Sequence, residues 1–217
     1  GSFQTAVWGQ TISGKIIDSE QRPIEGATIV LQTVDSIYID ASISNADGIF
    51  TLNGQQEKYR LIIQHLLFHT KQVTGNGKNA GTIQLQPQDY ALDEVVVKAE
   101  RPFVKVENGR LGYNLAVLSE KQVVNNAYEA LMRLPGVQEN KGALTLVGAG
   151  NLTVILNGKP TTMDVGQLET LLRNTPVNRV EKVEVMYSAP PEYHVRGAVI
   201  NVVLKLSLIH ISEPTRH

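Results

Sequence analysis

Ile37-Tyr38-Ile39-Asp40-Ala41-Ser42-Ile43, then Asn45-Ala46-Asp47-Gly48, then Ile49-Phe50-Thr51-Leu52 reads as strand, tight turn and strand. The first run alternates in the pattern of a half-buried strand, and the Asn-to-Gly punctuation is a hairpin signal. Working outward, the same grammar repeats on both sides. Ile12 to Ile17 is a strand ended by Asp18-Ser19-Glu20-Gln21-Arg22-Pro23, and Ala27-Thr28-Ile29-Val30-Leu31 follows the turn Pro23-Ile24-Glu25-Gly26. Beyond the central pair lie Tyr59-Arg60-Leu61-Ile62-Ile63 and Gly81-Thr82-Ile83-Gln84-Leu85, and the whole run from Leu61 to Val73 reads as strand. Nothing here has helical spacing. About seven short strands within residues 11–87 predict a small antiparallel β-sandwich.

Composition bounds the rest. A length of 217 residues fits one large domain or two small ones. Hydrophobic residues make up 42% and charged residues 19%, enough apolar material for real cores. The net charge of −1 leaves no basic field for nucleic acid or an anionic membrane. Apolar runs such as Val95-Val96-Val97 are far shorter than the roughly 20 residues of a membrane helix. Cysteine is absent, which removes disulfides, thiolate zinc sites and thiol nucleophiles.

After the polar break Pro87-Gln88-Asp89-Tyr90 the pattern becomes mixed. Ser119, with Gln122 three residues on, has the form of a capping box. Val124, Ala127, Leu131 and Leu134 then follow at helical spacing, and Pro135-Gly136 stops the helix. Ala143 to Val147 and Leu152 to Leu156 read as a hairpin around Gly148-Ala149-Gly150-Asn151, and Asn157-Gly158 turns the chain again. Asp164 opens a second helix, with Val165, Leu168, Leu171 and Leu172 expected inward. Val180 to Met186 and Val199 to Leu204 are the last strands.

Chemistry-bearing motifs are few. His65 and His69 would share a face on a helix; on one strand they stand about 13 Å apart, too far for one ion. Asp47-Gly48 carries one carboxylate, too few oxygens for calcium, and reads as a turn. There is no Gly-x-Ser-x-Gly, no His-Glu-x-x-His and no phosphate-binding glycine loop. The expectation is a non-enzyme without cofactor or metal.

The first half carries a resemblance in Gly14-Lys15-Ile16-Ile17-Asp18, Pro23-Ile24-Glu25-Gly26-Ala27, Asn45-Ala46-Asp47-Gly48-Ile49-Phe50 and Tyr59-Arg60-Leu61. These residues are similar to the carboxypeptidase regulatory-like domain, which implies a transthyretin/Ig-like sandwich without catalytic residues of its own. Leu67-Phe68 stands where that family often has Gly-Tyr.

The second half resembles, in order, the plug domain of TonB-dependent outer-membrane receptors. The segments are Leu92-Asp93-Glu94-Val95-Val96-Val97, Ala130-Leu131-Met132-Arg133-Leu134-Pro135-Gly136-Val137, Val154-Ile155-Leu156-Asn157-Gly158-Lys159-Pro160, Val180-Glu181-Lys182-Val183-Glu184-Val185 and Tyr193 to Lys205. The resemblance implies a small mixed α/β plug domain over 100–205, joined to the sandwich by a linker at 88–99. The lumen the plug would fill belongs to a transmembrane β-barrel that residues 1–217 do not contain. It also implies a TonB-type energy-transducing protein as partner, an outer-membrane location facing the periplasm and barrel lumen, and a small ligand of siderophore, glycan or peptide class. Asp93, Glu94, Val95, Val96 and Val97 take the part of the TonB box, added as a strand to the partner's sheet edge. The other reading makes that run the plug's first strand or plain linker. Tyr193, His194 and Arg196 lie in a loop that faces either the ligand or the barrel wall; a lone Arg196 in a lumen would want an acidic partner. Two departures stand out. The loop before Ile200 is shorter than usual. Asn157-Gly158-Lys159-Pro160 replaces the Asp-Gly-Val/Ile-Pro of the glycan-importing branch, which points away from an oligosaccharide cargo.

The ends read differently from the middle. Residues 1–10 are either the remnant of an export signal, with Val7 and Gly9 at the −3 and −1 cleavage positions, or a frayed terminus. Residues 206–217 resemble the translation of a transposon-derived sequencing adapter, a non-native tail; a genuine short tail is the other reading. The competing function is a free-standing secreted two-domain binding or adhesion protein. A reading frame continuing past Lys205 into alternating barrel strands would decide against it.

Overall fold

The structure is a computed structural model and describes residues 10–89 and 102–206. Seven strands fold the first unit: β1 Thr11–Ile17, β2 Thr28–Gln32, β3 Tyr38–Ile43, β4 Ile49–Asn53, β5 Lys58–His65, β6 Phe68–Asn76 and β7 Asn79–Gln84. They lie in two sheets, ordered β4-β1-β7 and β3-β2-β5-β6. The inner faces enclose Ile12, Ile16, Ile29, Leu31, Phe50, Leu52, Tyr59, Leu61, Ile63 and Leu85. Strands β2, β4 and β5 supply alternate residues to this core, as a period of two requires, while β3 and β6 add the partly buried Ile39, Phe68 and Val73 at its margin.

Three expectations for this unit need correction. The sandwich is not wholly antiparallel, because β1 and β7 pair in parallel. Parallel neighbours need a long crossover, and the strands in between supply it by way of the second sheet. The turn Asn45 to Gly48 is real but joins no hairpin, since β3 pairs with β2 while β4 pairs with β1. Asn45 Oδ1 accepts from the Asp47 and Ile49 amides, and Gly48 adopts φ 76° beside Ile16 O, where a Cβ would come within 2.5 Å. That turn therefore carries the chain between sheets. Finally, Leu61 to Val73 is two strands. The chain reverses at Leu66-Leu67 without Gly, Pro or Asn, and His65 faces Phe68 across the pair.

The second unit holds β8 Val104–Glu107, β9 Arg110–Tyr113, α1 Leu115–Lys121, α2 Ala127–Arg133, β10 Val137–Asn140, β11 Ala143–Leu146, β12 Leu152–Leu156, α3 Val165–Arg173, β13 Val180–Met186 and β14 Ala198–Leu204. A five-stranded mixed sheet, β12-β14-β13-β9-β8, forms its frame. The single helix expected from Ser119 to Leu134 is two helices. Asn114 caps α1, Gln122 ends it, and Asn126 caps α2 by accepting from the Glu129 amide at 2.9 Å. Between them Val123 and Val124 are β-branched and Asn125-Asn126 favours a cap, so the helix breaks. Val124, Ala127, Leu131 and Leu134 are nonetheless all buried.

The hairpin expected between Ala143–Val147 and Leu152–Leu156 does not form either. β11 pairs with β10, and β12 pairs in parallel with β14. Asn157 and Gly158, at φ 50° and 78°, make the expected reversal as a type I′ turn. Helix α3 starts at Asp164 with a full capping box to Gln167. It turns only Leu172 fully inward; Val165 and Leu171 are exposed. Among the described residues no helix is long and apolar enough to cross a membrane.

The two units share a core. Val30, Ala41, Ile62 and Leu66 of the first unit belong to the same packed cluster as Leu111, Tyr113, Leu131, Val185 and Ile200 of the second. The sheet β3-β2-β5-β6 is thus covered on both faces.

Candidate functional site

The loop from Ser188 to Gly197, between β13 and β14, is the candidate site that lies within the described residues. Pro190 sets the chain's entry, and a 3-10 turn spans Pro191–Tyr193. The Tyr193 amide donates to Pro190 O at 3.1 Å, the His194 amide to Pro191 O at 3.0 Å, and the Ala189 amide closes the neck on Gly197 O at 2.8 Å. His194 sits in the left-handed region at φ 55°. Tyr193 is buried against Ile155, Met186 and Val199, with Ala189 and Val195 at the edge of that cluster. His194 and Arg196 are exposed, and Arg196 forms no ion pair among the described residues. The loop is therefore pinned by Tyr193 and presents His194 and Arg196 outward. Asp93, Glu94, Val95, Val96 and Val97 lie outside the described residues.

Beside the loop runs an open groove of about 790 Å³ between the β8–β9 hairpin and β13. Lys105, Glu107, Arg110, Glu181, Lys182, Glu184 and Glu192 line it. Glu184 is its one buried carboxylate. Burial alone would raise its pKa, but the Asn201 amide at 3.0 Å, with Lys182 at 3.4 Å and Arg110 at 3.3 Å, outweighs it and holds the group below the usual range. Glu184 therefore stays ionised and fully partnered. A groove with both charge signs suits a polar surface contact, and no nucleophile–base pair lies in it. Asn201, the buried amide that donates to Glu184, is missed by sequence reasoning, although a polar residue inside the apolar run Ala198–Leu204 is the available signal.

A smaller cavity of about 230 Å³ lies between β11, the free edge of β12 and α3, lined by Leu144, Leu152, Val154, Leu168 and Leu172. At its mouth the Tyr128 hydroxyl donates to Glu139 at 2.6 Å. Burial and that bond push the phenol up to about 12. Arg173 stacks over the same ring at 4.1 Å, held by Glu169 at 2.8 Å.

The two histidines of the first unit do not share a strand. His65 ends β5, accepts from the Leu67 amide through Nδ1 at 3.1 Å and packs edge-on to Phe68. Burial pulls its pKa down to about 4 against the opposing bond at the Glu25 backbone. His69 is exposed on β6. No group of three or more His, Asp or Glu among the described residues is placed to hold a metal ion.

The family profile of the CarboxypepD_reg-like domain matches residues 12–97, the span of the sandwich and the segment after it. Residues 12–97 are a CarboxypepD_reg-like domain. Among proteins of curated function none matches the chain. Solved structures similar to part of it include hydroxyquinol 1,2-dioxygenase from Pseudomonas putida DLL-E4, at 11% identity over 36% of this chain and 56% of that one, TM-score 0.29. A group B streptococcus pilus 2b backbone protein is 19% identical over 37% of this chain and 42% of that one, TM-score 0.31. Klebsiella pneumoniae 5-hydroxyisourate hydrolase is 20% identical over 36% and 91%, TM-score 0.29. The chain thus spans about half of the first two structures, and likenesses this slight say nothing of what it does. The CarboxypepD_reg-like domain carries the His65–Phe68 turn, while the loop bearing His194 and Arg196 lies outside it.

Proposed function

We propose that residues 100–205 are the plug of a TonB-dependent outer-membrane receptor, placed behind the CarboxypepD_reg-like domain, and that together they gate energised uptake of a small ligand. One observation carries the reading. The segments Val154–Pro160, Val180–Val185 and Tyr193–Lys205, which resemble the plug family in sequence order, supply β12, β13 and β14, and these three strands are neighbours in one sheet. Leu134-Pro135-Gly136-Val137 meets the same unit at the exit of α2, where Leu134 and Val137 are both buried.

In this reading Asp93-Glu94-Val95-Val96-Val97 is the segment a TonB-type protein takes up as an added strand. Main-chain hydrogen bonds give the affinity, and alternate side chains give the choice of partner. His194 and Arg196, on a loop pinned by Tyr193, meet the ligand or the barrel wall. The protein is a transport component of the outer membrane, not an enzyme.

The test mixes this chain with the periplasmic C-terminal domain of a TonB-type protein and measures binding by calorimetry. Binding that disappears on deletion of Asp93 to Val97, with the circular dichroism spectrum unchanged, is the expected result. Absence of binding, or binding indifferent to the deletion, defeats the assignment.

A further inference from the structure

The outer face of β3-β2-β5-β6 is the most informative surface outside the loop. Val30, Ala41, Ile62 and Leu66 project from it at 8% exposure or less, and they do so only because the second unit lies on them. The backbone of Gly148 comes so close that a Cβ there would fall 2.7 Å from Ile62 Cδ1, and its φ of 91° is one that L side chains rarely adopt.

Directional bonds cross the same seam. The Tyr113 hydroxyl donates to Gln64 Oε1 at 3.1 Å, and Gln64 Nε2 donates to the Tyr187 hydroxyl. Gln32 Nε2 donates to Gly148 O at 3.1 Å, while its Oε1 accepts from Arg60 Nη1. The Tyr38 amide donates to Ser188 Oγ at 3.1 Å. Gln64 is 1% exposed and both tyrosines are almost as buried. In a separated pair these groups would lose partners that lie only on the other unit, and the four apolar side chains would meet water.

We infer that the CarboxypepD_reg-like domain is a structural wall of the second unit, not a tethered module: Ile62 and its neighbours complete the second unit's core, Gln64 between Tyr113 and Tyr187 fixes the register, and the outer face of β3-β2-β5-β6 is closed to any third protein. Partner contacts of the sandwich are then confined to the outer face of β4-β1-β7 and to strand edges. The inference concerns two halves of one chain and is independent of whether a TonB-type protein binds it.

The experiment uses the full chain with a specific protease site inserted between Ala91 and Leu92. After cutting, size-exclusion chromatography at micromolar concentration should return one species with the mass of the uncut chain. Two separately eluting pieces that each keep their circular dichroism would overturn the inference. In the cut protein, Gly148→Val should weaken the association by about tenfold or more through its clash with Ile62. Gln64→Leu, a milder change that leaves Gly148 in place, should weaken it by a similar factor, and adding Tyr113→Phe with Tyr187→Phe should restore part of the loss, because no orphaned hydroxyl then remains. Affinity unchanged in both Gly148→Val and Gln64→Leu would show that this face is not the seam.

Discussion

The two faces of β5 are held by different means. Tyr59, Leu61 and Ile63 point into the sandwich and have no exposed surface; the polar atom they bring is the Tyr59 hydroxyl, which donates to Gly77 O at the rim. Arg60, Ile62 and Gln64 point the other way, and two of the three are polar. The inner face is held by volume and apolar burial, which are strong but nearly indifferent to angle. The outer face adds bonds with fixed directions from Gln64 and Gln32. Where two units must meet in one register, directional groups supply what apolar contact alone does not.

Substitutions on the two faces sharpen this contrast. Leu61→Ala should produce the largest loss, about 2–5 kcal/mol, because it opens a cavity where the sheets interdigitate. Ile62→Ala should cost a comparable amount in urea unfolding of the whole chain, in the same single transition. A cost below about 0.5 kcal/mol for Ile62→Ala, the range of a surface change, would erase the distinction and make the outer face an ordinary solvated one. Gln64→Leu comes next, at about 1–3 kcal/mol, since it leaves the Tyr113 and Tyr187 hydroxyls buried without their partner. Double-mutant cycles between Gln64 and Tyr187 by chemical denaturation should show a coupling that a pair of independent residues would not.

The same contrast explains how much can be read from sequence. Strands of the sandwich are legible because alternation and turn residues are local signals: Asn45 to Gly48 announces its own bend. Which strand pairs with which is not, since the turn into β4 looks like a hairpin whether the chain stays in its sheet or leaves it. The bend at Leu66-Leu67 carries no turn residue at all, and only pairing of β5 with β6 imposes it. In the second unit spacing identifies the buried set Val124, Ala127, Leu131 and Leu134 correctly and its helix wrongly, because helical spacing survives a break when both pieces lie on the same core. The outer-face residues Ile62 and Gln64 give no hint of their role. An alternating strand can announce one wet face, but Tyr59-Arg60-Leu61-Ile62-Ile63-Gln64 conceals whether its second face meets water or another unit. Of the loop, Tyr193 is legible as conspicuous and not as an anchor, for its burial depends on Ile155 and Met186 from separate strands.

Acid titration probes the sandwich from its turn. His65 has its folded pKa depressed to about 4, below the roughly 6.5 of an unfolded histidine, so the unfolded chain binds the proton first. Its contribution is therefore complete above about pH 6.5 and falls away as the pH drops from there toward 4. Protonated Nδ1 can no longer accept from the Leu67 amide, which is the bond that closes the β5–β6 reversal. Urea midpoints measured across that window should decline for the native chain and stay flatter for His65→Asn. Parallel profiles would mean that the turn is not the acid-sensitive element. Glu184, with its pKa lowered, keeps its contribution until the pH falls below the ordinary carboxylate range near 4, so its effect appears later in the same titration.

The smallest effects separate the two capped helices of the second unit. Asn126→Ala removes the acceptor for the Glu129 amide at the start of α2, whose Ala127, Tyr128, Ala130 and Leu131 are buried in the shared core. Asp164→Ala removes the acceptor for the Gln167 amide at 2.8 Å at the start of α3, which buries Leu172 alone. Each cap is worth about 1 kcal/mol by itself. The two losses should spread differently: fraying of α2 disturbs the seam with Ile62 and Leu66 through that core, whereas fraying of α3 opens only the small cavity beside β12. Asn126→Ala should therefore lower the stability of the whole chain by about 1–2 kcal/mol, at the upper end for a cap, and Asp164→Ala by about 0.5–1 kcal/mol with amide exchange quickened in α3 only. Equal costs with exchange confined to each helix would mean that α2 is as peripheral as α3, and that the seam is carried by the sheet and the Gln64 bonds without its help.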